Sequence, residues 1–479
     1  MTGNHTESTD THTESTETRT EQDSLGTFEV PRDAYWGVHT ARALDNFAIS
    51  GERIGHYPAL ITALAAVKQA ACQANRELGL LDERRAEAIE AACAEIRGGA
   101  LHEQFPIDPI QGGAGTSTNM NANEVIANRA LELLGYERGD YAELDPLDHV
   151  NLGQSTNDVY PTAVKLAVIA HIRRLVAALE RLADEFARKS AEFADVIKMG
   201  RTQLQDAVPM TLGQEFATFA IMLREDCARL EEGTALLREV NLGGTAIGTG
   251  INGHPLYPAL ACARLGEITG ENVVPAENLI EATQDCGAFV QVSGILKRVA
   301  VKLSKTCNDL RLMSSGPITG LREITLPPVQ AGSSIMPGKV NPVIPETVNQ
   351  IAFEAIGADL TVTMAAEGGQ FQLNAFEPII AHSLLRITAH LTAAADTLAT
   401  KCVNGITAHR DHLESGVNRS IGIVTALTPH IGYAASARIA KHALQTGQSV
   451  ATVATKLGLL TAETVAELLA PHRLAGLPD

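Results

Sequence analysis

A short loop near residue 335 gathers side chains that could carry out chemistry. Residues 332–342 read Gly-Ser-Ser-Ile-Met-Pro-Gly-Lys-Val-Asn-Pro. This string places two adjacent hydroxyls (Ser333 and Ser334), one ammonium (Lys339) and one amide (Asn341) between glycines and prolines, which favour a loop. Such a segment has little to pack in a core. Lys339 and Asn341 could hold a carboxylate while a serine oxygen faces the substrate.

A helix is predicted to begin directly after this loop. Pro342 and Pro345 lie near its first turn and Glu346 lies just inside it, as is typical of helix starts. For a lone Gly-Ser-Ser the simpler interpretation is a mobile surface loop, whereas a chance match to the full eleven-residue string is improbable.

Three other segments share the same polar character. They are rich in hydroxyl and amide side chains and nearly free of charge, and they comprise residues 112–121, 148–158 and 200–209. Taken singly, each could consist of caps and turns; Asn157 or Asp158, for example, could cap the helix that follows. Four such segments together predict a site that binds a small polar anion with neutral donors.

Other classes of site are disfavoured. The glycine-rich residues 243–250 lack the Lys-Ser/Thr of a phosphate loop and the G-x-G-x-x-G order of a dinucleotide site. No H-x-x-x-H, H-E-x-x-H or clustered Cys/His pattern occurs, so no dedicated transition-metal site is expected. Residues 449–469 resemble a helix-turn-helix but lack the basic face that DNA requires.

The composition predicts a soluble, helical, cytoplasmic protein. In 479 residues the hydrophobic content is 45% and the aromatic content 4%, so the core is built from aliphatic residues, which suit closely packed helices. A formal charge of −18 disfavours nucleic acid and anionic membranes as partners. Seven scattered cysteines without a CxxC pair indicate buried free thiols in a reducing compartment. Neither a signal peptide nor a membrane-spanning apolar run is evident.

Patterning along the chain predicts four regions. These are a disordered Thr/Glu/Ser-rich tail (1–23), an N-terminal helical domain (24–154), a central domain (155–405) and a small C-terminal helical domain (406–479). Five long segments of the central domain show helical spacing, which predicts a long five-helix bundle. Residues 351–364 are apolar on more than one face, so we expect them to bury surface against other subunits.

These motifs resemble the fumarase/aspartase superfamily of lyases. The resemblance rests on residues 332–342 and extends from 26–31 and 35–40 to at least 420–424. It implies an all-α, three-domain fold and a homotetramer with a twenty-helix core, in which each active site is assembled from three subunits. It further implies that no organic cofactor is required, although a divalent cation such as Mg²⁺ activates some aspartases; we identify no ligand set for one.

Within the superfamily, local details favour aspartases over class II fumarases. His149 replaces a second Asp that fumarases usually carry, and Thr156 replaces a second Ser. Gln203 stands where fumarases place a histidine, and an amide cannot shuttle protons. Departing hydroxide needs an acid, whereas ammonia leaves from an amine that is already protonated. Leu152 and Gly153 differ from the Lys-Cys or Lys-Ser pair that commonly follows this Val-Asn in the superfamily.

The resemblance implies reversible anti-elimination of ammonia from L-aspartate to give fumarate, and it assigns a role to each site residue. Ser333 would be the general base that removes the Cβ proton. The remaining roles are as follows: Thr116, Ser155, Thr156 and Ser334 for the β-carboxylate, Lys339 and Asn341 for the α-carboxylate, and Asn157, Thr202 and Gln203 for the amino group.

Two other functions remain open at this point. One is class II fumarate hydratase, which shares the fold and most of the motifs. The other is a catalytically silent structural protein on the same scaffold, as has happened to a lyase relative in eye lens. The intact set of serine, lysine and hydroxyl groups argues against the silent protein.

Overall fold

The structure, a computed structural model, describes residues 17–476 and is predominantly helical, which confirms the predicted fold class. The helices are α1 (Val38–Asn46), α2 (Pro58–Glu77), α3 (Glu83–Arg97), α4 (Thr116–Leu133), α5 (Thr156–Glu192), α6 (Leu212–Leu237), α7 (Tyr257–Thr269), α8 (Leu279–Gln284), α9 (Gly287–Met313), α10 (Val343–Glu367), α11 (Glu377–Lys401), α12 (Arg410–Arg419), α13 (Thr428–Ile431), α14 (Tyr433–Thr446), α15 (Val450–Lys456), α16 (Ala462–Leu468) and α17 (Pro471–Leu474).

Short strands pair within the described residues as two-stranded sheets. The strands are β1 (Thr18–Asp23), β2 (Gly26–Pro31), β3 (Ile197–Thr202), β4 (Gln205–Thr211), β5 (Glu239–Val240), β6 (Val274–Pro275), β7 (Ile324–Thr325) and β8 (Thr407–Ala408). The pairs β1–β2, β3–β4 and β7–β8 are antiparallel, and β5–β6 is parallel.

Internal contacts divide the chain into two compact units. The first comprises the described residues up to Ala170 together with Ala235–Val290 and Thr361–Leu385. The second comprises His171–Thr234, Gln291–Leu360 and the described residues from Arg386 onward. The three-domain division with boundaries near 154 and 405 stays a prediction.

Five long helices occupy the positions predicted for the central bundle. They are α5 with 37 residues, α6 with 26, α9 with 27, and α10 and α11 with 25 each. The α5 residues 159–169 are all buried, which fits a stretch that is apolar apart from Thr162 and Lys165. The helices after Gly405 are shorter, as predicted.

Within the second unit these five helices form a closed ring of neighbours. Phe186 of α5 packs edge-on against Phe216 and Phe219 of α6. Ion pairs link the other neighbours: Lys302–Asp226 (α9–α6), Lys297–Asp359 (α9–α10), Arg386–Glu354 (α10–α11) and Arg181–Asp396 (α11–α5).

One face of α10 leaves large apolar side chains in contact with solvent. Phe353 is 62% exposed, Leu360 61% and Met364 65%. They recur at intervals of seven and four residues, so they form a stripe along one side of the helix. An apolar stripe of this kind is typical of a surface that another chain covers.

The hairpin of β3 and β4 is anchored on the short helices that follow α12. Met199 of β3 belongs to a buried apolar cluster with Ile423, Leu427, Ile439 and Val453. This packing fixes the base of the hairpin, whose turn carries two of the candidate site residues.

The prediction of disorder for residues 1–23 is wrong for Thr18–Asp23, which form β1 and pair with β2. Residues 1–16 of the predicted tail lie outside the described residues. The guanidinium of Arg19 donates to the carbonyl oxygens of Pro31, Ala34 and Trp36 at 3.0, 2.8 and 2.8 Å. Composition alone missed this order because hydrogen bonds, rather than apolar burial, hold the strand.

Arg19 provides a test of this anchoring. Arg19→Ala should lower the free energy of unfolding by about 2–4 kcal/mol, because the substitution leaves several carbonyl groups without a donor. Arg32→Ala is the matched control, since Arg32 directly follows β2 and its exposed ion pair with Glu17 is the one found among residues 17–476. Urea unfolding at fixed protein concentration measures both variants. Equal effects of the two substitutions would show that β1 is not held by the Arg19 contacts.

Candidate functional site

The first polar segment forms the tight loop that begins α4. Gly113 and Gly115 adopt φ of 87°, and a Cβ on Gly115 would lie 2.4 Å from the ring of Tyr160. Only glycine fits such a backbone at such a close approach. The loop is therefore pressed against α5 and presents Thr116, the first residue of α4, to solvent.

The second polar segment meets the first through asparagine side chains. Asn119 Nδ2, in the first turn of α4, donates to Thr156 Oγ1 at 3.1 Å and to Asn151 Oδ1 at 3.2 Å. Since Thr156 is the first residue of α5, the starts of α4 and α5 are held side by side. Both helices point the positive ends of their dipoles toward this region, which favours a bound anion.

Ser155, rather than Asn157 or Asp158, caps α5. Its Oγ accepts a hydrogen bond from Asn157 N at 3.2 Å, and Asp158 Oδ1 accepts one from Ser155 N at 3.1 Å. Ser155 thus caps the N–H of the second helical residue, and the side chain of the third, Asp158, binds the N–H of Ser155 itself. The Ser155 hydroxyl keeps its own proton to donate, so capping does not prevent it from binding a carboxylate.

Asp158 also organises the glycine-rich loop of residues 243–250. Its buried Oδ2 accepts hydrogen bonds from Gly243 N at 3.1 Å and Thr245 N at 2.9 Å. Burial raises the pKa of Asp158 to about 6, and these backbone donors oppose the rise. The backbone N–H groups of this loop therefore bind a carboxylate of the same chain.

Lys68 of α2 supports the second polar segment from below, a contact that the sequence analysis missed. It is fully buried, and its Nζ donates to Asn151 Oδ1 at 2.8 Å and to Gln154 Oε1 at 2.9 Å. Burial lowers the pKa of Lys68 to about 7, and the charge of Asp158 opposes this shift. The sequence feature that could have identified Lys68 was its position on the apolar face of α2, with Leu64 four residues before it.

The unusual Leu152-Gly153 pair has a local explanation. Gly153 adopts φ of 71°, a left-handed conformation that favours glycine. The Leu152 carbonyl accepts a hydrogen bond from Asn75 Nδ2 at 2.8 Å, so the turn is tied to α2 by its backbone. His149, three residues earlier, accepts a hydrogen bond at Nδ1 from Asp145 N at 2.8 Å, and burial lowers its pKa.

In the second unit, Thr202 and Gln203 lie at the tip of the β3–β4 hairpin. Gln203 and Leu204 form its two-residue turn with φ of 53° and 63°, as expected where both turn residues are left-handed. Both Thr202 and Gln203 expose their side chains.

A buried carboxylate fixes the strand behind this turn. Glu323 accepts from Lys198 Nζ at 2.6 Å with one oxygen and from Arg201 with the other. Lys198 also pairs with Glu215 of α6. Glu323 stands immediately before β7, so the same carboxylate ties the hairpin to the chain segment that leads to the serine loop.

The loop of residues 332–342 is closed on itself. Gly332 N donates to Lys339 O at 2.9 Å, and Asn341 Nδ2 donates to Gly332 O at 2.7 Å. A Cβ on Gly332 would lie 2.4 Å from Lys339 O, so glycine is needed for this closure. Ser334 and Lys339 are exposed at the rim of the loop.

Ser333 is the one serine of the pair whose oxygen receives backbone donors. Its Oγ accepts hydrogen bonds from Ile335 N at 3.2 Å and from Met336 N at 3.0 Å. Two N–H groups directed at one oxygen would stabilise negative charge on it. The structure therefore brings Thr116, Ser155, Thr156 and Asn157 together in the first unit, and it places the other candidates on a hairpin and a loop of the second.

Three further findings concern the described residues only. Residues 17–476 contain no group of three or more His, Cys, Asp or Glu side chains arranged to hold a metal ion. No helix in this range is long and apolar enough to cross a membrane. All seven cysteines are free and buried, as predicted.

Comparisons with known proteins agree with the motifs. A family model described as "Lyase" matches residues 26–357, and one described as "Fumarase C C-terminus" matches residues 423–476. The aspartate ammonia-lyase of Pseudomonas aeruginosa is 58% identical over 95% of this chain and 96% of its own. That of Escherichia coli is 54% identical over 95% of each.

Solved structures show the same fold. A fumarate lyase:delta crystallin from Brucella melitensis, bound to cobalt, has a TM-score of 0.94 and 58% identity over 96% of this chain and all of its own. A class II fumarase from Schistosoma mansoni has a TM-score of 0.91 and 36% identity over 96% and 99%. With its motifs, its long helices and these matches in agreement, the chain belongs to the fumarase/aspartase family of lyases.

Proposed function

We propose that this chain catalyses the reversible anti-elimination of ammonia from L-aspartate to give fumarate. The observation that carries the proposal is Ser333, whose oxygen accepts two backbone N–H groups in a closed loop. Relatives 54–58% identical over most of the chain bear the name aspartate ammonia-lyase, which supports the choice of substrate.

Ser333 acts as the general base. A serine hydroxyl is a weak acid, so its alkoxide needs strong local stabilisation before it can remove a proton from Cβ. The N–H groups of Ile335 and Met336 supply part of it, and closure of the loop over substrate excludes water and strengthens both bonds. The proton passes to Ser333 Oγ, and the electrons of the C–H bond move toward the β-carboxylate.

The β-carboxylate takes up the negative charge as an aci-carboxylate dianion. Its donors are the hydroxyls of Thr116, Ser155, Thr156 and Ser334, aided by the helix starts to which three of them belong. Neutral donors bind the singly charged ground state moderately and the dianion more strongly, which lowers the barrier. Because the substrate's own carboxylate is the electron sink, the reaction requires no organic cofactor.

The other end of the substrate is held by charge and by amides. Lys339 and Asn341 bind the α-carboxylate, and Asn157, Thr202 and Gln203 bind the ammonium. When the C–N bond breaks, its electron pair goes to nitrogen and neutral ammonia departs, so no acid is required. Mg²⁺, where it acts, would be an activator.

The chain functions as a cytoplasmic homotetramer with a twenty-helix core. The exposed stripe on α10 supports the assembly, because Phe353, Leu360 and Met364 would otherwise face water. The seven buried free thiols suit a reducing compartment. Each active site combines polar segments from three subunits.

Replacing the base should abolish turnover. Ser333→Ala should lower kcat by about three orders of magnitude or more while leaving the oligomer and its melting temperature unchanged, because the change removes one loop oxygen and no core volume. Ser334→Ala is the matched control and should lower kcat by a much smaller factor, because three other hydroxyls still hold the β-carboxylate. Fumarate formation is followed by absorbance. If Ser333→Ala retained near-wild-type kcat, another residue would be the base.

Substrate preference distinguishes this function from that of a fumarase. The enzyme should deaminate L-aspartate at least about 10²-fold faster than it dehydrates L-malate, because Gln203 cannot protonate a departing hydroxide and general-acid help is worth roughly 10²–10⁴-fold. Malate should inhibit competitively through its carboxylates. Parallel assays with both substrates measure the ratio. Comparable kcat/KM values would instead assign the chain to the fumarases.

Shared active sites should allow inactive variants to complement each other. Ser333→Ala and Thr202→Val, refolded together, should regain part of the activity because some mixed sites receive only wild-type segments. Each variant refolded alone is the control. Mixtures that stay inactive after native mass spectrometry has proved subunit exchange would place each site within one chain.

A further inference from the structure

The amide of Asn157 has a fixed orientation. Its Nδ2 lies 2.6 Å from the carbonyl oxygen of Ala246, and a carbonyl can only accept a hydrogen bond. The atom that faces Ala246 must therefore be the nitrogen, and Oδ1 is directed elsewhere. The backbone of Asn157 is fixed as well, since its carbonyl oxygen accepts from Asn241 Nδ2 at 2.9 Å.

This orientation matters for what the side chain can recognise. An amide oxygen accepts a hydrogen bond from an ammonium group, whereas an amide NH₂ directed at an ammonium would place donor against donor. A hydroxyl can donate to an amide oxygen or accept from an amide NH₂, so it tolerates either orientation, whereas an ammonium requires the oxygen. The carbonyl of Ala246 thus selects which face of the amide meets the substrate.

The glycine-rich loop of residues 243–250 holds that carbonyl in place. Asp158 Oδ2 accepts from Gly243 N and Thr245 N, at 3.1 and 2.9 Å, immediately before Ala246. Further along, a Cβ on Gly248 would lie 2.4 Å from the backbone of Ile280, so the loop is packed closely against α8. A buried carboxylate and a close backbone contact therefore hold the loop on both sides of Ala246.

We propose that this loop is a specificity element for the substrate's amino group, with Asp158 as its positioning residue. Asp158 holds the loop, Ala246 orients Asn157, and Asn157 Oδ1 accepts from the ammonium. The inference rests on the proposed function and adds a selection step that the hydroxyl and lysine contacts to the carboxylates do not provide.

A series of ligands that differ only at C2 tests the proposal. Aspartate carries an ammonium there, malate a hydroxyl, and succinate neither. In Asp158→Asn, where an amide replaces the carboxylate that accepts two loop N–H groups, KM for aspartate should rise about tenfold or more. The Ki of succinate should change by less than about twofold, and that of malate should change less than the aspartate KM. A general loosening of the site would shift all three ligands equally.

A second variant moves the loop without touching the Ser155 cap. Gly243→Ala places a Cβ 2.7 Å from the Pro258 ring at φ of +90°, so the loop must shift. The same selective loss for aspartate is expected, and this variant carries the test if Asp158→Asn does not fold. Gly270→Ala is the matched control, because Gly270 has φ of +72° in the same unit with nothing within 4 Å of the added Cβ.

These experiments distinguish a failure of the proposed function from a failure of the role proposed for the loop. Wild-type protein that fails to turn over aspartate would refute the proposed function. Wild-type turnover with equal changes for aspartate and succinate in both loop variants, or with no change in either, would refute the role of the loop alone. Selective loss for aspartate in one loop variant and not in Gly270→Ala would support it.

Discussion

Buried carboxylates hold together the segments on which the candidate site depends. A charge removed from water must be matched by donors, and an unmatched one costs several kcal/mol. Asp158 finds its donors in the cap of α5 and in the glycine-rich loop, and Glu323 finds its donors in Lys198 and Arg201. Each carboxylate therefore fixes two stretches of chain that are far apart in sequence.

The charges that build the candidate site are kept apart from the groups proposed to contact substrate. Lys68 lies beneath the second polar segment, where it orients Asn151 and Gln154, while hydroxyls and amides form the exposed surface. A neutral surface suits a dianionic intermediate, because neutral donors gain strength as charge develops without binding the ground state too tightly. Lys339 is the exception, and its proposed partner is the carboxylate whose charge does not change.

The sequence predicted the elements better than the contacts between them. Apolar periodicity located the five long helices, and the polar composition of residues 112–121, 148–158, 200–209 and 332–342 located the candidate site residues. The sequence could not predict β1, because Arg19 holds that strand by hydrogen bonds to backbone carbonyl oxygens, which have no sequence signature. Nor could it predict the roles of Lys68 or Asp158, since a buried ion depends on partners that are distant in sequence.

In the proposed mechanism, the distinction between deaminase and hydratase follows from the groups assigned to bind at C2. Gln203 and Asn157 are both amides, and neither changes its charge near neutral pH. A departing hydroxide would find no proton donor there, whereas an ammonium already carries the protons that it needs to leave as ammonia. Selection must then come from the direction of the acceptor oxygens, which backbone geometry fixes. The fold is common to the family, so on this proposal the chemistry is decided by how a few neutral amides are oriented within it.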